Sequence, residues 1–104
     1  MLRIAIAGGN IGASALISLL RGDANTELVG IFEKKLDSPG AILARKWNLP
    51  VFSEVQSFCN AAPEMVINVT GDVKLSNEIR TASAYKIEVI EGTAFTVRVT
   101  DAQV

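Results

Sequence analysis

The sequence predicts a doubly wound α/β domain: a parallel sheet of five strands in the order 3-2-1-4-5, with helices on both faces. Three observations predict it. Short apolar runs alternate with segments of helical character, the first run ends in a glycine-rich turn that opens a helix, and the chain has 104 residues, 49% of them hydrophobic. With a mean hydropathy of +0.32, that composition suffices for one packed core. No repeat, low-complexity tract or linker divides the chain, so residues 1–104 are expected to form a single domain, part of a larger protein.

Leu2 to Ala7 is an apolar run with one Arg, the composition of a strand buried on both faces. Ile11 to Leu20 follows as a helix whose only polar side chains are Ser14 and Ser18, four apart. That pattern predicts burial of nearly all the rest of the helix. Gly22 falls where a C′ glycine would end it. Glu27 to Phe32 reads as the second strand and runs out at Glu33. After the polar connection Lys34 to Ser38, Ser38 caps and Pro39 opens a helix reaching about Trp47. On that helix Leu43 and Trp47 share a face, while Arg45 and Lys46 point to water. Val51-Phe52 is a short strand, and a weak helix spans Glu54 to Cys59. Met65 to Val69 is the fourth strand, Val73 to Ala84 a helix, and Ile87 to Ile90 the fifth strand. Thr96 to Thr100 alternates like one more, half-buried strand.

Helices of this length between strands imply right-handed crossovers, and ligands of such sheets bind outside the carboxyl ends of the strands where the order reverses. That point lies between strands one and four. The residues it brings together are Gly8 to Gly12, Glu33 and Thr70 to Asp72.

Composition excludes several functions. Ten Lys plus Arg against 11 Asp plus Glu, a net charge of −1, provide no basic face for a nucleic acid. With no His and one Cys, neither a nitrogen–sulfur zinc set nor a histidine triad can be assembled. No metal and no catalytic residue are therefore assigned. A single Cys forms no internal disulfide, which fits a reducing compartment. Met1 leads directly into the first strand, and the longest uncharged stretch is broken by glycines. Neither a signal segment nor a membrane span is expected, and the expected location is cytoplasmic.

The run Ala7-Gly8-Gly9-Asn10-Ile11-Gly12 carries the strongest chemical signal. A dinucleotide fingerprint needs one glycine for the turn, one where the pyrophosphate approaches and one for close helix–strand packing. One register places Ala7, Gly9 and Gly12 in these roles, and the other Gly8, Asn10 and Ala13. The first is preferred because it retains the second and third glycines. Main-chain N–H groups of Gly9, Asn10 and Ile11, with the helix dipole, would face a phosphate. Glu33 lies 24 residues after Gly9, where a carboxylate accepts from ribose hydroxyls, which favours NAD over NADP despite Lys34 and Lys35. Thr70 or Asp72 caps the following helix and Gly71 makes the turn, beside the same cleft. Asn68, within an apolar strand, is expected to satisfy its amide internally, and Cys59 to be a small buried hydrophobe.

Taken in order, Leu2 to Gly9, Val29-Gly30-Ile31-Phe32-Glu33, Ser38 to Ala44, Leu49 to Phe52 and Val69-Thr70-Gly71-Asp72 carry a family likeness. The chain resembles, over about residues 1–93, the N-terminal NAD(P)-binding Rossmann domain of the glucose–fructose oxidoreductase and aspartate or homoserine dehydrogenase type. It is most similar to versions that precede sensor modules in bacterial signalling proteins. The resemblance implies pyrophosphate contacts from Gly8, Gly9, Asn10, Ile11 and Gly12, a ribose contact from Glu33, and cleft lining by Thr70, Gly71 and Asp72. Two departures stand out: Ala7 replaces the first glycine, and Glu91-Gly92-Thr93 stands where these oxidoreductases carry Glu-Lys-Pro, so their catalytic Lys is absent.

The expected function is a dinucleotide-binding or ligand-sensing module without its own catalytic domain. Alternatives are the nucleotide-binding half of a dehydrogenase, a CoA-binding or redox-sensing domain, and a non-binding dimerisation domain. The partners expected are the dinucleotide and a second copy or further domains of a longer chain.

Overall fold

The computed structural model describes residues 1–92. The elements alternate: β1 (Leu2–Ala7), α1 (Ile11–Arg21), β2 (Thr26–Phe32), α2 (Pro39–Lys46), β3 (Val51–Phe52), α3 (Val55–Asn60), β4 (Met65–Asn68), α4 (Val73–Ala82) and β5 (Glu88–Glu91). The strands form one parallel sheet in the order β3-β2-β1-β4-β5, as the sequence predicts. The strand expected over Thr96 to Thr100 lies outside the described residues.

Side chains of a strand alternate between faces, and here they feed two cores. Ile6, Ile31 and Val69 meet Ala13, Leu16 and Ile17 of α1 and Ala41 and Ala44 of α2. On the other face Ala5, Ala7, Phe32, Val66 and Val89 meet Phe58, Cys59, Leu75 and Ile79 of α3 and α4. The small Ala5 and Ala7 leave room for the fully buried Phe58, whose ring lies 5.6 Å from that of Phe32 and 6.0 Å from that of Phe52. Burying a ring of this size contributes about 3 kcal/mol. Burial also pushes the Cys59 thiol up.

Arg3, the one charge in β1, belongs to the opposite end of the sheet from the strand-end cleft. Its guanidinium bonds the carbonyls of Ala61 and Ala62 at 2.8 and 3.2 Å and pairs with Glu27 at 3.2 Å.

Several local expectations change. In α1 only Ala13, Leu16 and Ile17 are buried, whereas Ile11 and Leu19 are 78% and 65% exposed. The helix covers the sheet with a single stripe, and the absence of charge elsewhere does not bury the rest. Gly22 is the C-cap itself, in right-handed geometry, rather than a left-handed C′ residue. The fourth helix ends at Ala82 instead of Ala84, because Ala84 and Tyr85 take φ values of 52° and 61°. Trp47 is half-buried as a core-edge residue, with the Arg21 guanidinium 4.1 Å from its ring centroid. Ahead of β2, Asp23 accepts from the Asn25 N–H and the Thr26 hydroxyl, which hold its carboxyl below the usual range. Among the described residues no helix is long and apolar enough to cross a membrane.

Candidate functional site

Three turns meet at the carboxyl end of the sheet. The first joins β1 to α1, the second β2 to α2 and the third β4 to α4. All nine residues singled out from the sequence lie on them or on the first turn of α1.

In the β1–α1 turn Gly8 has φ +120°, a conformation open to glycine, and its N–H donates to Phe32 O at 2.8 Å. Asn10 caps α1: its Oδ1 accepts from the Ala13 N–H at 2.8 Å, and its Nδ2 donates to Val69 O at 3.0 Å. The Asn10 side chain is thus committed to the fold. The N–H groups of Gly9, Asn10, Ile11 and Gly12 have no protein acceptor among the described residues. Four donors and the positive end of an 11-residue helix are the physical requirements of an anion seat.

Two of the three roles in the register preferred from the sequence fall elsewhere in this geometry. The turn falls to Gly8, and the close packing of helix on sheet falls to Ala13, which is fully buried. Gly12 is exposed, and a Cβ there would meet only Asn10 Oδ1, at 3.2 Å. Gly9 is glycine for another reason. A Cβ on it would collide with Ser38 Oγ and come within 2.8 Å of Glu33 Cγ and 3.0 Å of Glu33 Oε2. Likewise, a Cβ on Gly40 would lie 2.9 Å from Gly9 Cα, and the Gly40 N–H donates to Gly9 O at 2.8 Å. The start of α2 therefore rests directly on the glycine turn.

The β2–α2 loop is held along its length. The Glu33 N–H donates to Phe52 O at 2.8 Å, Glu33 Oε1 accepts from the Lys35 N–H at 2.9 Å, and Arg45 bonds Leu36 O at 2.6 Å. Ser38 occupies the N-cap of α2, yet its hydroxyl makes no capping bond, contrary to expectation. The Gly9 carbonyl takes the Gly40 N–H that a cap would claim.

The β4–α4 turn is built on Asn68, fully buried and satisfied internally as expected. Its Nδ2 donates to Asp72 O at 3.0 Å and to Ser76 Oγ at 2.7 Å. Its Oδ1 accepts from the Thr70 N–H at 3.0 Å and the Thr70 hydroxyl at 2.6 Å. Ser76 passes the chain on by donating to Glu91 Oε1. Thr70 Oγ1 accepts from the Asp72 N–H, and Asp72 caps α4 through the Lys74 N–H, both at 3.0 Å. Gly71 has φ +77°, and nothing lies within 4 Å of the position a Cβ would take.

Between the second and third turns is a cavity of about 230 Å³ lined by Phe32, Glu33, Lys34, Thr70, Asp72, Leu75 and Glu78. Three carboxylates face one ammonium there, so the cavity suits an uncharged nucleoside portion better than a phosphate. A volume below the roughly 300 Å³ of a typical ligand pocket holds only part of a dinucleotide. The rest would extend over the exposed start of α1. A wider groove of about 590 Å³ between α3 and α4 is lined by Val55, Gln56, Lys74, Asn77, Glu78, Thr81 and Ala82. It lies away from the free main-chain donors.

Sequence reasoning found Glu33, Thr70 and Asp72 on this cavity, named Lys34 beside them and missed Leu75 and Glu78; it also missed the contacts that Ser38 and Gly40 make with the glycine turn. A signal for Gly40 was present: a glycine in the first turn of a helix weakens it and calls for a packing reason.

No family model matches the sequence, and no curated protein sequence matches it. Solved structures do share the fold. One is a protein of Desulfitobacterium hafniense named as an NADPH-dependent oxidoreductase, with 15% identity and a TM-score of 0.68, over 85% of this chain and 26% of that one. Another is saccharopine dehydrogenase (L-Glu forming) from Saccharomyces cerevisiae, with 13% identity and a TM-score of 0.64, over 86% of this chain and 21% of that one. The chain thus spans about a quarter and a fifth of their lengths. At these identities the likeness shows the fold, an α/β domain of the Rossmann type.

Proposed function

We propose that the chain is a dinucleotide-binding module that takes NAD at the carboxyl edge of β1, β2 and β4, and that it is one part of a longer protein. The carrying observation is the pairing of the four free N–H groups at Gly9 to Gly12 with the Glu33 carboxylate beside them. The N–H groups would hold the pyrophosphate, and Glu33 Oε2, which has no donor among the described residues, would accept from the adenosine ribose. Bound NAD supplies hydride chemistry; the chain's own residues bind and orient. No acid, base or nucleophile among the described residues is assigned to catalysis. The likeness to much longer oxidoreductases supports a nucleotide-binding unit of the Rossmann type; on our reading it is a cofactor-binding or sensing unit similar to the glucose–fructose oxidoreductase and homoserine dehydrogenase type, whose substrate chemistry would be supplied by other segments. We place it in the cytoplasm, on the composition alone.

The test is a thermal-shift panel with NAD, NADH, NADP, NADPH, CoA and ATP on the wild type and Glu33→Ala. At 100 times the dissociation constant a ligand contributes about 2.7 kcal/mol of stability, easily seen in a domain of this size. NAD and NADH are expected to raise the midpoint most, and Glu33→Ala to weaken that response about tenfold or more in affinity. A response to CoA alone, or to none of the six, would overturn the reading.

A further inference from the structure

We infer that the hydroxyl of Ser38 is a second ligand-binding group of this cleft and that, together with Glu33, it reads the free cis-diol of a ribose. The inference rests on the dinucleotide reading above and deepens it by naming a residue and the part of the ligand it recognises.

Among the described residues, Ser38 Oγ is the buried side-chain polar atom that has no hydrogen-bond partner. A hydroxyl taken from water without a partner is unfavourable, and folded proteins rarely retain one without a use for it. The usual use at this position is to cap the helix, and that role has gone to the Gly9 carbonyl. The hydroxyl instead faces the glycine turn, on the same side of Gly9 as the Glu33 carboxylate.

The two groups differ in chemistry. Glu33 Oε1 is already engaged by the Lys35 N–H, so Oε2 remains as an acceptor. Ser38 Oγ both donates and accepts. An acceptor-only oxygen beside a hydroxyl matches a vicinal diol: the 3′ hydroxyl donates to Oε2, and the 2′ hydroxyl exchanges a bond with Oγ, within reach of the same carboxylate. A phosphate on the 2′ oxygen would bring a dianion against the carboxylate and remove a donor from the diol. The pair therefore selects a ribose with both hydroxyls free. Main-chain bonds from Ser38 N to Lys35 O at 3.2 Å and from Glu33 N to Phe52 O at 2.8 Å fix the loop that carries both groups. The Glu33 side chain beside it is partly exposed.

The experiment is isothermal titration of wild type and Ser38→Ala with NAD, ADP and 2′-deoxy-ADP. The wild type is expected to bind ADP about tenfold more tightly than 2′-deoxy-ADP, the loss of one hydrogen bond to a hydroxyl. Ser38→Ala should lower ADP to the level of 2′-deoxy-ADP, leave the deoxy ligand unchanged, and keep the thermal midpoint at or above that of the wild type. A merely structural Ser38 would not move the ribo-to-deoxyribo ratio. If the wild type binds NAD and ADP but the ratio is unaltered in Ser38→Ala, or is already one in the wild type, the role of Ser38 is overturned and the dinucleotide reading stands. If the wild type binds none of the three, the dinucleotide reading fails and takes this inference with it.

Discussion

The β1–α1 and β4–α4 turns occupy matching places at the strand ends, yet they treat their polar groups in opposite ways. Around Asn68 every bond closes: both amide hydrogens and two acceptor directions of the carbonyl are used, and the network runs from Thr70 through Ser76 to Glu91. Around Gly9 the bonds stay open, with four main-chain donors and one buried hydroxyl lacking partners among the described residues. A closed network rigidifies, and an open one is stable only if something else supplies the missing partners. On the proposed function, scaffolding falls to one side of the cleft and ligand binding to the other.

Breaking the closed side is expected to have the largest effect on stability. Asn68→Leu keeps the branched shape but adds volume at a fully buried site, strands the Thr70 N–H and removes the donor to Ser76. It should cost about 3 kcal/mol, read from the shift in urea midpoint at unchanged slope. Gly40→Ala attacks the seam between α2 and the glycine turn, where the new Cβ would lie 2.9 Å from Gly9 Cα and 3.1 Å from Gly9 C and O. Backbone cannot move aside as a flexible side chain can, so a loss of about 2 kcal/mol is expected in the same assay. Glu33→Ala is the contrasting case. Its partly exposed carboxylate holds one exposed loop bond, to the Lys35 N–H, and stability should change by less than about 0.5 kcal/mol while NAD affinity falls.

Much of the fold was legible because its signals are local and repeated. The apolar run of β1, the glycines after it, and the alternation of strands and helices lead to the observed strand order. Asn68 was legible too, since an amide inside an apolar strand has few ways to be satisfied. The seam of Gly9, Ser38 and Gly40 was not. It joins a turn and a helix start some 30 residues apart, and no periodicity reports such a contact. The register of the fingerprint was legible only in part, for the same reason. Counting retained glycines favoured Ala7, Gly9 and Gly12, whereas backbone φ and burial give the turn to Gly8 and the packing to Ala13. In α1, lack of charge was taken as burial, and Ile11 and Leu19 show that an uncharged face can remain exposed.

The central claim is that the open turn, and not the closed one, receives the nucleotide. The most direct test is an amide NMR titration of the chain with NAD. The largest shifts are expected at Gly9, Asn10, Ile11 and Gly12, with Glu33 and Ser38 next, and only small ones within the Asn68–Ser76 network. Shifts centred on the groove between α3 and α4, or on Thr70 to Asp72 with the glycine turn unmoved, would contradict it.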